Sequence, residues 1–482
     1  MMMKMKQSIL SLHLLSSTAS AWNVGPSPSI RQQNQVLSKR SAVAIPLDIP
    51  TSVENDVFKT EITTPKSTLD PEDAWITNLD YEAFRNDVNA LGKELLQETG
   101  EADVQHLNKI VQWRDIAGAV GLATVWISPN PVTVAALSTW IYSSWTMIGH
   151  HVCHGGYNRV DAGKFKSRNF ALGVVNRVKD WLDAMLPEAW NVEHNRLHHY
   201  RLSESKDPDL VQRNLEFLRS SPLPMPAKYA VVAFFLPIWK WFYYSPNTYK
   251  ELKISEWNKE GRELPKDFNP EEAATIVSLL DPSRAGLRQV VNPVQFFIEA
   301  LGPLLLARFI AIPAMLALIP GVGGSLALNA LINLVLADFL TNIHAFITIV
   351  TNHAGEDLYT FDDCVKPKTG SFYVRQIVAS ANYAAGSDAV DFSHGWLNYQ
   401  IEHHVWPDLS MLQYQRAAPK LKAICEKHGV PYIQESVFER LRKTVDIMIG
   451  KTTMREFPTE YEPPKDKTTT VTWTSTNGAI DG

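Results

Sequence analysis

Cysteine is scarce in this chain: Cys153, Cys364 and Cys425 are the only three among 482 residues. They form neither the even, closely spaced set of a disulfide framework nor a Cys-x-x-Cys zinc motif. The sequence therefore excludes a fold held together by disulfides and a metal centre built from paired thiolates. Any metal site in this protein has to use nitrogen and oxygen ligands.

An excess of positive charge is also absent, since 46 lysines and arginines stand against 51 aspartates and glutamates. Nucleic-acid-binding domains carry a clustered basic surface that neutralises phosphates. The composition shows no such surface, and we expect no nucleic-acid partner. The chain also lacks an internal repeat, whereas many membrane transporters are built from inverted repeats.

Acidic residues are missing from the first 47 positions, and the first one is Asp48. Two lysines precede a short apolar run at 9–15, and the residues A-S-A-W follow at 19–22, an order typical of a cleaved signal. The next stretch is serine-rich and basic, and the whole resembles the two-part plastid presequences of diatoms and related algae. We predict a signal plus plastid transit peptide over residues 1–47, with an ordinary secretory signal as the alternative.

Long apolar runs alternate with charged stretches in the rest of the chain. A transmembrane helix needs about 20 predominantly apolar residues. The region 116–149 is interrupted at 128–131, and the region 295–352 is interrupted at 320–324, so each has room for two spans. We therefore predict an all-α membrane protein with about four transmembrane helices.

The segments around these runs define the predicted domain organisation. We expect a polar, solvent-exposed lead-in over 48–110, a membrane domain over 111–440 and a polar, disordered tail over 441–482. Aromatic residues are concentrated at 229–243, and because Trp and Tyr favour the membrane–water interface, this segment is predicted to be an interfacial helix.

Histidine is abundant in three clusters that lie near the ends of the apolar runs: H-H-V-C-H from His150, H-N-R-L-H-H from His194 and Q-I-E-H-H from Gln400. Residues four apart share one face of a helix, so each of the first two clusters can direct a pair of imidazoles to one point. Neutral imidazole is a good ligand for iron, copper and zinc. Seven or more imidazoles exceed the need of one ion, which suggests two.

The chain crosses the membrane an even number of times between the second and third clusters, because two predicted spans lie between them. All three clusters can therefore meet on one membrane face, in a histidine-rich helical cap. His353 ends the last span and is a further candidate ligand, because an ionisable residue at such a depth is usually functional. Carboxylates close in sequence could hold the outer imidazole nitrogens; the candidates are Glu193, Asp207, Asp209 and Glu402.

Other histidines are less informative. His344 lies inside a predicted span, and His394 could support the third cluster or simply lie on the surface. His151 is on the wrong helix face to join His150 and His154. The isolated positions are interpreted as unrelated to the site; they are His13, His106 and His428.

The three clusters, their order and the intervening spans resemble the membrane fatty acid desaturases. The stretch N-Y-Q-I-E-H-H-V-W-P-D-L-S-M-L-Q-Y at 398–414 is especially similar to the third histidine box of the front-end desaturases, as is K-H-G-V-P-Y at 427–432. Front-end desaturases insert a double bond between an existing one and the carboxyl end. The resemblance covers roughly residues 110–440.

The resemblance implies a di-iron centre and O2 as the oxidant. It also implies acyl lipid as the substrate and cis desaturation in polyunsaturated fatty acid biosynthesis in a plastid membrane; the endoplasmic reticulum is the alternative location. By position, the implied ligands are His150, His154, His194, His198, His199, His353, Gln400, His403 and His404. Gln400 is included because front-end members have glutamine in place of the first histidine of the third box.

The sequence departs from the family pattern in three places. His151 stands where an acidic residue is usual, and Ile349 stands where the family often has asparagine, so Asn342 or Asn352 would have to serve. No H-P-G-G motif of a fused cytochrome b5 domain occurs in the printed sequence. We therefore expect a separate electron donor, ferredoxin in a plastid or cytochrome b5 elsewhere, and the basic loop 155–180 could bind it.

Two other functions use a related pattern. A di-iron hydroxylase or ketolase acting on a carotenoid or sphingolipid shares the histidine clusters, although the Q-I-E-H-H context favours desaturation. A membrane metal transporter would place its ligands near mid-membrane, whereas most candidate ligands here lie outside the apolar runs.

An acyl tunnel lined by residues 140–147 and 339–350 is expected for the desaturase.

Overall fold

A computed structural model describes residues 69–463 of the chain. The predicted presequence, residues 48–68 of the predicted lead-in and residues 464–482 of the predicted tail lie outside the described residues.

The described chain is mostly helical, as the sequence predicts. Twelve helices carry the architecture: α1 (Tyr81–Glu98), α2 (Glu101–Thr124), α3 (Pro131–Tyr142), α4 (Pro187–Trp190), α5 (Met225–Phe235), α6 (Ser245–Lys259), α7 (Pro293–Ala317), α8 (Gly323–Asn352), α9 (Gly370–Val378), α10 (Gln400–Val405), α11 (Met411–His428) and α12 (Val437–Met448).

Short helical turns connect them: Pro71–Asn78, Val174–Asn176, Arg177–Trp181, Val211–Asn214, Glu216–Arg219, Lys240–Tyr244, Ile276–Leu280, Ala285–Val290, Asp388–Ser393, Leu397–Tyr399 and Thr459–Tyr461.

Four two-residue strands complete the fold as two parallel pairs. β1 (Tyr359–Thr360) pairs with β4 (Arg455–Glu456), and β2 (Asn382–Tyr383) pairs with β3 (Gln434–Glu435). β1 follows His353 and β2 precedes the third histidine cluster, whereas β3 follows α11 and β4 follows α12. Each pair therefore joins a segment next to candidate ligands in sequence to a segment nearer the C-terminus.

Two helices of the described chain, α7 and α8, are long and apolar enough to cross a membrane. α8 packs against α3, and α3 packs against α2. Gly118 and Gly121 permit this second contact, because an added Cβ would lie 2.8 Å from Trp140 and 2.7 Å from Leu137. Two spans are thus supported by length and composition, while four spans remain a prediction.

The predicted lead-in is not solvent-exposed where the structure describes it. Asp80 caps α1 by accepting hydrogen bonds from the backbone N–H groups of Glu82 and Ala83. Phe84, Val88 and Leu95 recur at helical spacing and are fully buried, in a helix that packs on α11 and α9. The prediction of an exposed lead-in therefore needs correction for one face of α1, whose apolar residues are buried although the average composition of the segment is polar.

The predicted disordered tail over 441–482 also needs correction. Residues 437–448 form α12, and β4 and the turn at Thr459–Tyr461 follow. α12 buries polar side chains, including Arg440 and Thr444, which are both 0% exposed. The polar composition was taken as a sign of solvation, but these groups are buried because they have protein partners.

Candidate metal centre

Two groups of histidines form at the centre of the described chain. The first group contains five buried imidazoles and the second contains three; within each group, the candidate ligand atoms lie within 4.8 Å of one another. The first group is His150, His154, His194, His199 and His403, and the second group is His198, His353 and His404.

Distances in the first group are those expected of nitrogens that share an ion. His150 Nε2 lies 2.9 Å from His403 Nε2 and 3.2 Å from His194 Nε2. His199 Nε2 lies 3.3 Å from His194 Nε2. Two imidazole nitrogens that bind one transition-metal ion at about 2.1 Å in adjacent positions stand about 3 Å apart. The first group therefore fits a single metal ion.

The second group includes Gln400 at its edge. Gln400 Nε2 lies 3.0 Å from His353 Nε2, so its amide faces the imidazole of the second group. The ring centroids of His198 and His353 are 4.9 Å apart, and those of His353 and His404 are 4.8 Å apart. All nine positions implied by the resemblance are thus brought together, and their role as ligands remains a prediction.

The two groups are neighbours. The rings of His199 and His404 stack with centroids 4.4 Å apart, and the adjacent residues His403 and His404 belong to different groups. The third cluster therefore contributes one imidazole to each group. The structure therefore has two adjacent donor groups, each of which could hold a metal ion.

Wide helical turns explain why these spacings work. The helix α3 continues through a π-helical segment, Ser143–Gly149, into the short helix His150–Cys153. The helix α4 continues through a second π-helical segment, Asn191–His198, into His199–Arg201. A π turn holds more residues than an α turn, so residues four and five positions apart lie on either side of the same helix face. Such turns are frequent at functional sites.

The imidazoles are in the form that binds metal. Burial, followed by the neighbouring imidazoles, lowers the pKa of His154, His194, His199 and His403 well below the usual range of histidine. They are therefore neutral near pH 7. His154 Nε2 and His404 Nε2 are buried without a hydrogen-bond partner, an arrangement that costs free energy unless a ligand satisfies it. The donor set therefore fits metal ions.

Three side chains hold the outer nitrogens of the candidate ligands. Asp207 Oδ1 is 2.9 Å from His198 Nδ1, Tyr414 Oη is 3.1 Å from His403 Nδ1, and Gln376 Oε1 is 3.2 Å from His404 Nδ1. Burial acts to lower the pKa of His198, but the charge and hydrogen bond of Asp207 outweigh it and raise this pKa. Such outer partners orient ligands and tune the metal.

Sequence reasoning found one of these partners and missed two. Asp207 was among the four predicted carboxylates, and Asp209 lies within 4.8 Å of His194 and His198 as a possible third grouping. Tyr414 and Gln376 were missed because their contacts span 11 and 28 positions. Tyr414 lies within the stretch 398–414 that resembles the third histidine box of front-end desaturases, and this resemblance is the sequence feature that could have drawn attention to it.

The other two predicted carboxylates have different surroundings. Glu402 accepts hydrogen bonds from Asn382 Nδ2 at 2.8 Å and Tyr432 Oη at 2.7 Å, so it braces α10 rather than an imidazole. Glu193 is fully buried. Burial, and then the charge of Asp209, raises the pKa of Glu193 well above its usual range.

The remaining described histidines stay outside both groups. His151 Nδ1 bonds Met147 O at 2.6 Å, in agreement with its position on the wrong helix face. His344 stacks on Tyr142 with centroids 3.8 Å apart, and His394 Nδ1 bonds Val390 O. His106 and His428 approach Asp388 and Asp87, respectively; His13 lies outside the described residues.

The asparagines proposed as substitutes for the family residue differ in environment. Asn352 donates from Nδ2 to Leu397 O at 2.7 Å, next to the third cluster. Asn342 is fully buried in α8, and no hydrogen bond to its side chain is found among the described residues.

An apolar groove of about 390 Å³ lies beside Trp140 and α7, but the predicted acyl tunnel itself remains a prediction.

Fold and site together define a mostly helical protein with a buried, all-nitrogen histidine centre and two apolar helices. The family model described as fatty acid desaturase matches residues 124–436, which is more than half of the chain. The protein therefore belongs to the fatty acid desaturase family. It is an oxidoreductase of lipid metabolism, and membership sets aside the metal-transporter alternative.

Several curated proteins are similar to this chain. An NADPH-dependent stearoyl-CoA 9-desaturase of Mycobacterium tuberculosis is 22% identical over 383 residues, covering 77% of this chain and 80% of the relative. An acyl-lipid (7-3)-desaturase of Rebecca salina is 26% identical over 61% of this chain and 58% of the relative. A Delta(8)-fatty-acid desaturase of Arabidopsis thaliana is 28% identical over 24% of each chain. No solved structure matches this chain.

Proposed function

We propose that this protein is a di-iron, O2-dependent acyl-lipid desaturase that introduces a cis double bond into a fatty acyl chain. The observation that carries this proposal is the arrangement of eight buried imidazoles in two adjacent groups. The two groups together contain enough imidazole nitrogens to bind two ions, and the third cluster supplies one imidazole to each group.

The iron pair, when bound, supplies the oxidation of an unactivated methylene group by O2, for which amino acid side chains have no equivalent. The chain itself supplies three other things. Burial disfavours the protonated form of its imidazoles, while Asp207, Tyr414 and Gln376 orient three of them. Burial keeps water away from the centre, and the surrounding helices have to hold one carbon pair of the acyl chain beside it.

A front-end substrate, an acyl chain that already contains a double bond, is the more specific proposal. Gln400 supports it, because glutamine stands in the position that distinguishes front-end members, and its amide faces His353 at 3.0 Å. An acyl-lipid (8-3)-desaturase of Rebecca salina, 29% identical over 27% of this chain, provides further support. Polyunsaturated fatty acid biosynthesis is the pathway class to which such a reaction belongs.

Electrons are proposed to come from a separate acidic protein, ferredoxin in a plastid or cytochrome b5 in the endoplasmic reticulum. The predicted binding loop 155–180 exposes Arg168 and Lys179, and Arg196 is exposed between the ligands His194 and His198. Complementary charge at such a surface speeds the encounter of partners. The plastid location rests on the presequence predicted over residues 1–47.

Four membrane spans are proposed for the whole domain, with α2 and α3 as a first pair and α7 and α8 as a second. The contact of α3 with α8 supports this arrangement, as do the exposed apolar side chains of α2, among them Ile116, Val120 and Leu122. Both pairs would return the chain to the face that holds the histidines.

The experiment is a fatty-acid profile of yeast or cyanobacteria that express residues 48–482, with plastid ferredoxin and its reductase supplied. His198→Ala is the inactive reference, and His428→Ala is the matched control, since His428 pairs with Asp87 outside both groups. We expect a new unsaturated acid in the wild type and the His428→Ala variant but not in the His198→Ala variant. A hydroxylated or keto product instead would show the related hydroxylase or ketolase activity and overturn desaturation.

A further inference from the structure

The loop of residues 351–357, which carries His353, is held from behind by α12. We call it the His353 loop. Arg440 in α12 is completely buried. Its Nη2 donates to Ala354 O at 3.2 Å, and its Nε donates to Thr351 O at 3.4 Å. These two carbonyls lie on either side of His353 in the chain, so one guanidinium fixes the backbone around a candidate ligand.

Further contacts secure the same loop. Arg440 Nη1 donates to both carboxylate oxygens of Asp357, each at 2.8 Å, and Lys443 Nζ reaches Asp357 Oδ2 at 2.8 Å. Thr444 Oγ1 donates to Ala354 O at 2.9 Å. A buried cation is tolerated only when it is paired and hydrogen-bonded, and these partners meet that requirement. The planar guanidinium presents its donors in a fixed fork that lysine cannot reproduce.

Gly355 makes room for the guanidinium. A Cβ added at this position would lie 2.6 Å from Arg440 Nη2 and 2.5 Å from Asp357 Oδ1. Real Cβ atoms essentially never come this close to another heavy atom, so a larger residue would force the side chains of Asp357 and Arg440 to shift from their present contacts. The close approach of the loop to α12 therefore depends on both Gly355 and Arg440.

We propose that Arg440 is a positioning residue for His353, through which α12 sets the metal affinity of the second histidine group. This inference rests on the proposed two-metal centre. The second group has three imidazoles against five in the first, so misplacing His353 removes a third of its nitrogen donors. The ligands of the first group all lie outside the His353 loop, and among the described residues none of them forms a hydrogen bond with Arg440.

The test is a metal titration of the purified, metal-free full chain in detergent, with Co²⁺ as an optical probe and metal analysis for the count. The wild type should bind two ions. The Arg440→Met and Arg440→Lys variants should bind one ion normally and the other about 10- to 100-fold more weakly, the usual effect of removing an outer-shell support. His353→Ala is the reference for loss at the second group.

A matched control separates positioning from general packing. Arg219 donates to Ile447 O and Thr452 O at the other end of α12, far along the helix from the His353 loop. Arg219→Met should lower thermal stability but leave both affinities unchanged. Adding Arg440→Met to His353→Ala should weaken binding no further, because both changes act on the same ligand.

Two results would overturn the inference. In the first, the wild type binds two ions and the Arg440→Met variant binds both with unchanged affinity. This result would contradict the positioning role of Arg440 while leaving the proposed function standing. A wild type that binds fewer than two ions would remove the two-metal centre and the inference with it. If Arg440→Met does not fold, Arg440→Lys supplies the same test, because lysine keeps the positive charge but cannot reproduce the fork of hydrogen bonds.

Discussion

At the scale of single residues, the candidate centre depends on imidazoles that carry no charge. Eight imidazoles share a small volume, and burial together with the neighbouring imidazoles lowers the pKa of seven of them well below the usual range of histidine. His198 is the exception, since Asp207 raises its pKa. The protonation of His198 therefore depends on its outer partner as well as on burial.

Removing the charge of Asp207 should weaken metal binding. We expect Asp207→Asn to lower iron affinity by about 10- to 100-fold, because an amide orients and polarises His198 less strongly than a carboxylate does. The measurement is iron retained per chain after dialysis against graded chelator. Asp388→Asn is the control, since Asp388 also faces a histidine, His106 at 3.5 Å, but outside both groups. Equal iron loss in both variants would contradict the role given to Asp207.

Glu204 should make stability depend on pH. Burial raises its pKa to about 7, against the opposing effect of Arg201 and Arg375. The folded state therefore binds more protons at this group than the unfolded state between about pH 4.5 and 7, and stability from this group is lost as pH rises through that range. Thermal unfolding in detergent should show a smaller decrease between pH 5 and pH 8 for Glu204→Gln than for the wild type. Identical pH dependence in the two proteins would refute this assignment.

At the scale of elements, the sequence predicted the ligand-bearing segments better than their supports. The i, i+4 spacing of the first two clusters indicated convergence on one face. The structure places His150 and His154 in one group, but His194 shares that group with His199, while His198 belongs to the second group. The π-helical segments that accommodate both His198 and His199 were not predicted, because no local composition distinguishes a π turn from an α turn. α12 was missed because its buried face is polar, and only partners distant in sequence explain such burial.

The C-terminal helix should be required for the site. A chain ending at Ser436 loses α12 and all of its contacts to the His353 loop, whereas a chain ending at Pro463 keeps every described contact. We expect the shorter chain to lose desaturase product and one of the two metal ions, and we expect the longer chain to keep both. Product analysis and metal content measured on the same membrane preparation would check this. Normal product from the shorter chain would contradict it.

At the scale of the whole molecule, the account depends on the histidine groups lying on one side of the membrane. Helices α7 and α8 separate the second cluster from the third, and the structure confirms that these clusters meet. Apolar run length predicted this pair of helices correctly. The number of spans contributed by residues 116–149 could not be fixed in this way, since α2 is apolar only along part of its length.

Membrane topology can be tested with cysteine labelling in sealed vesicles. The native Cys364 is exposed and follows α8, whereas Cys153 and Cys425 are buried. Val322, between α7 and α8, is 52% exposed. A membrane-impermeant maleimide should label Cys364 from one side, and Val322→Cys in a Cys364→Ser chain should react only from the opposite side. Labelling of both positions from the same side would contradict the two-span arrangement.

The central claim is that two histidine-bound irons drive O2-dependent desaturation of an acyl chain. The most direct measurement follows O2 uptake and lipid products together, using purified protein loaded with zero, one or two irons per chain, reduced ferredoxin and an unsaturated acyl lipid. We expect a new cis double bond, accompanied by O2 uptake, only in the protein that holds two irons. Full activity with a single iron, or O2 uptake by the two-iron protein that yields a hydroxylated lipid and no double bond, would contradict the claim.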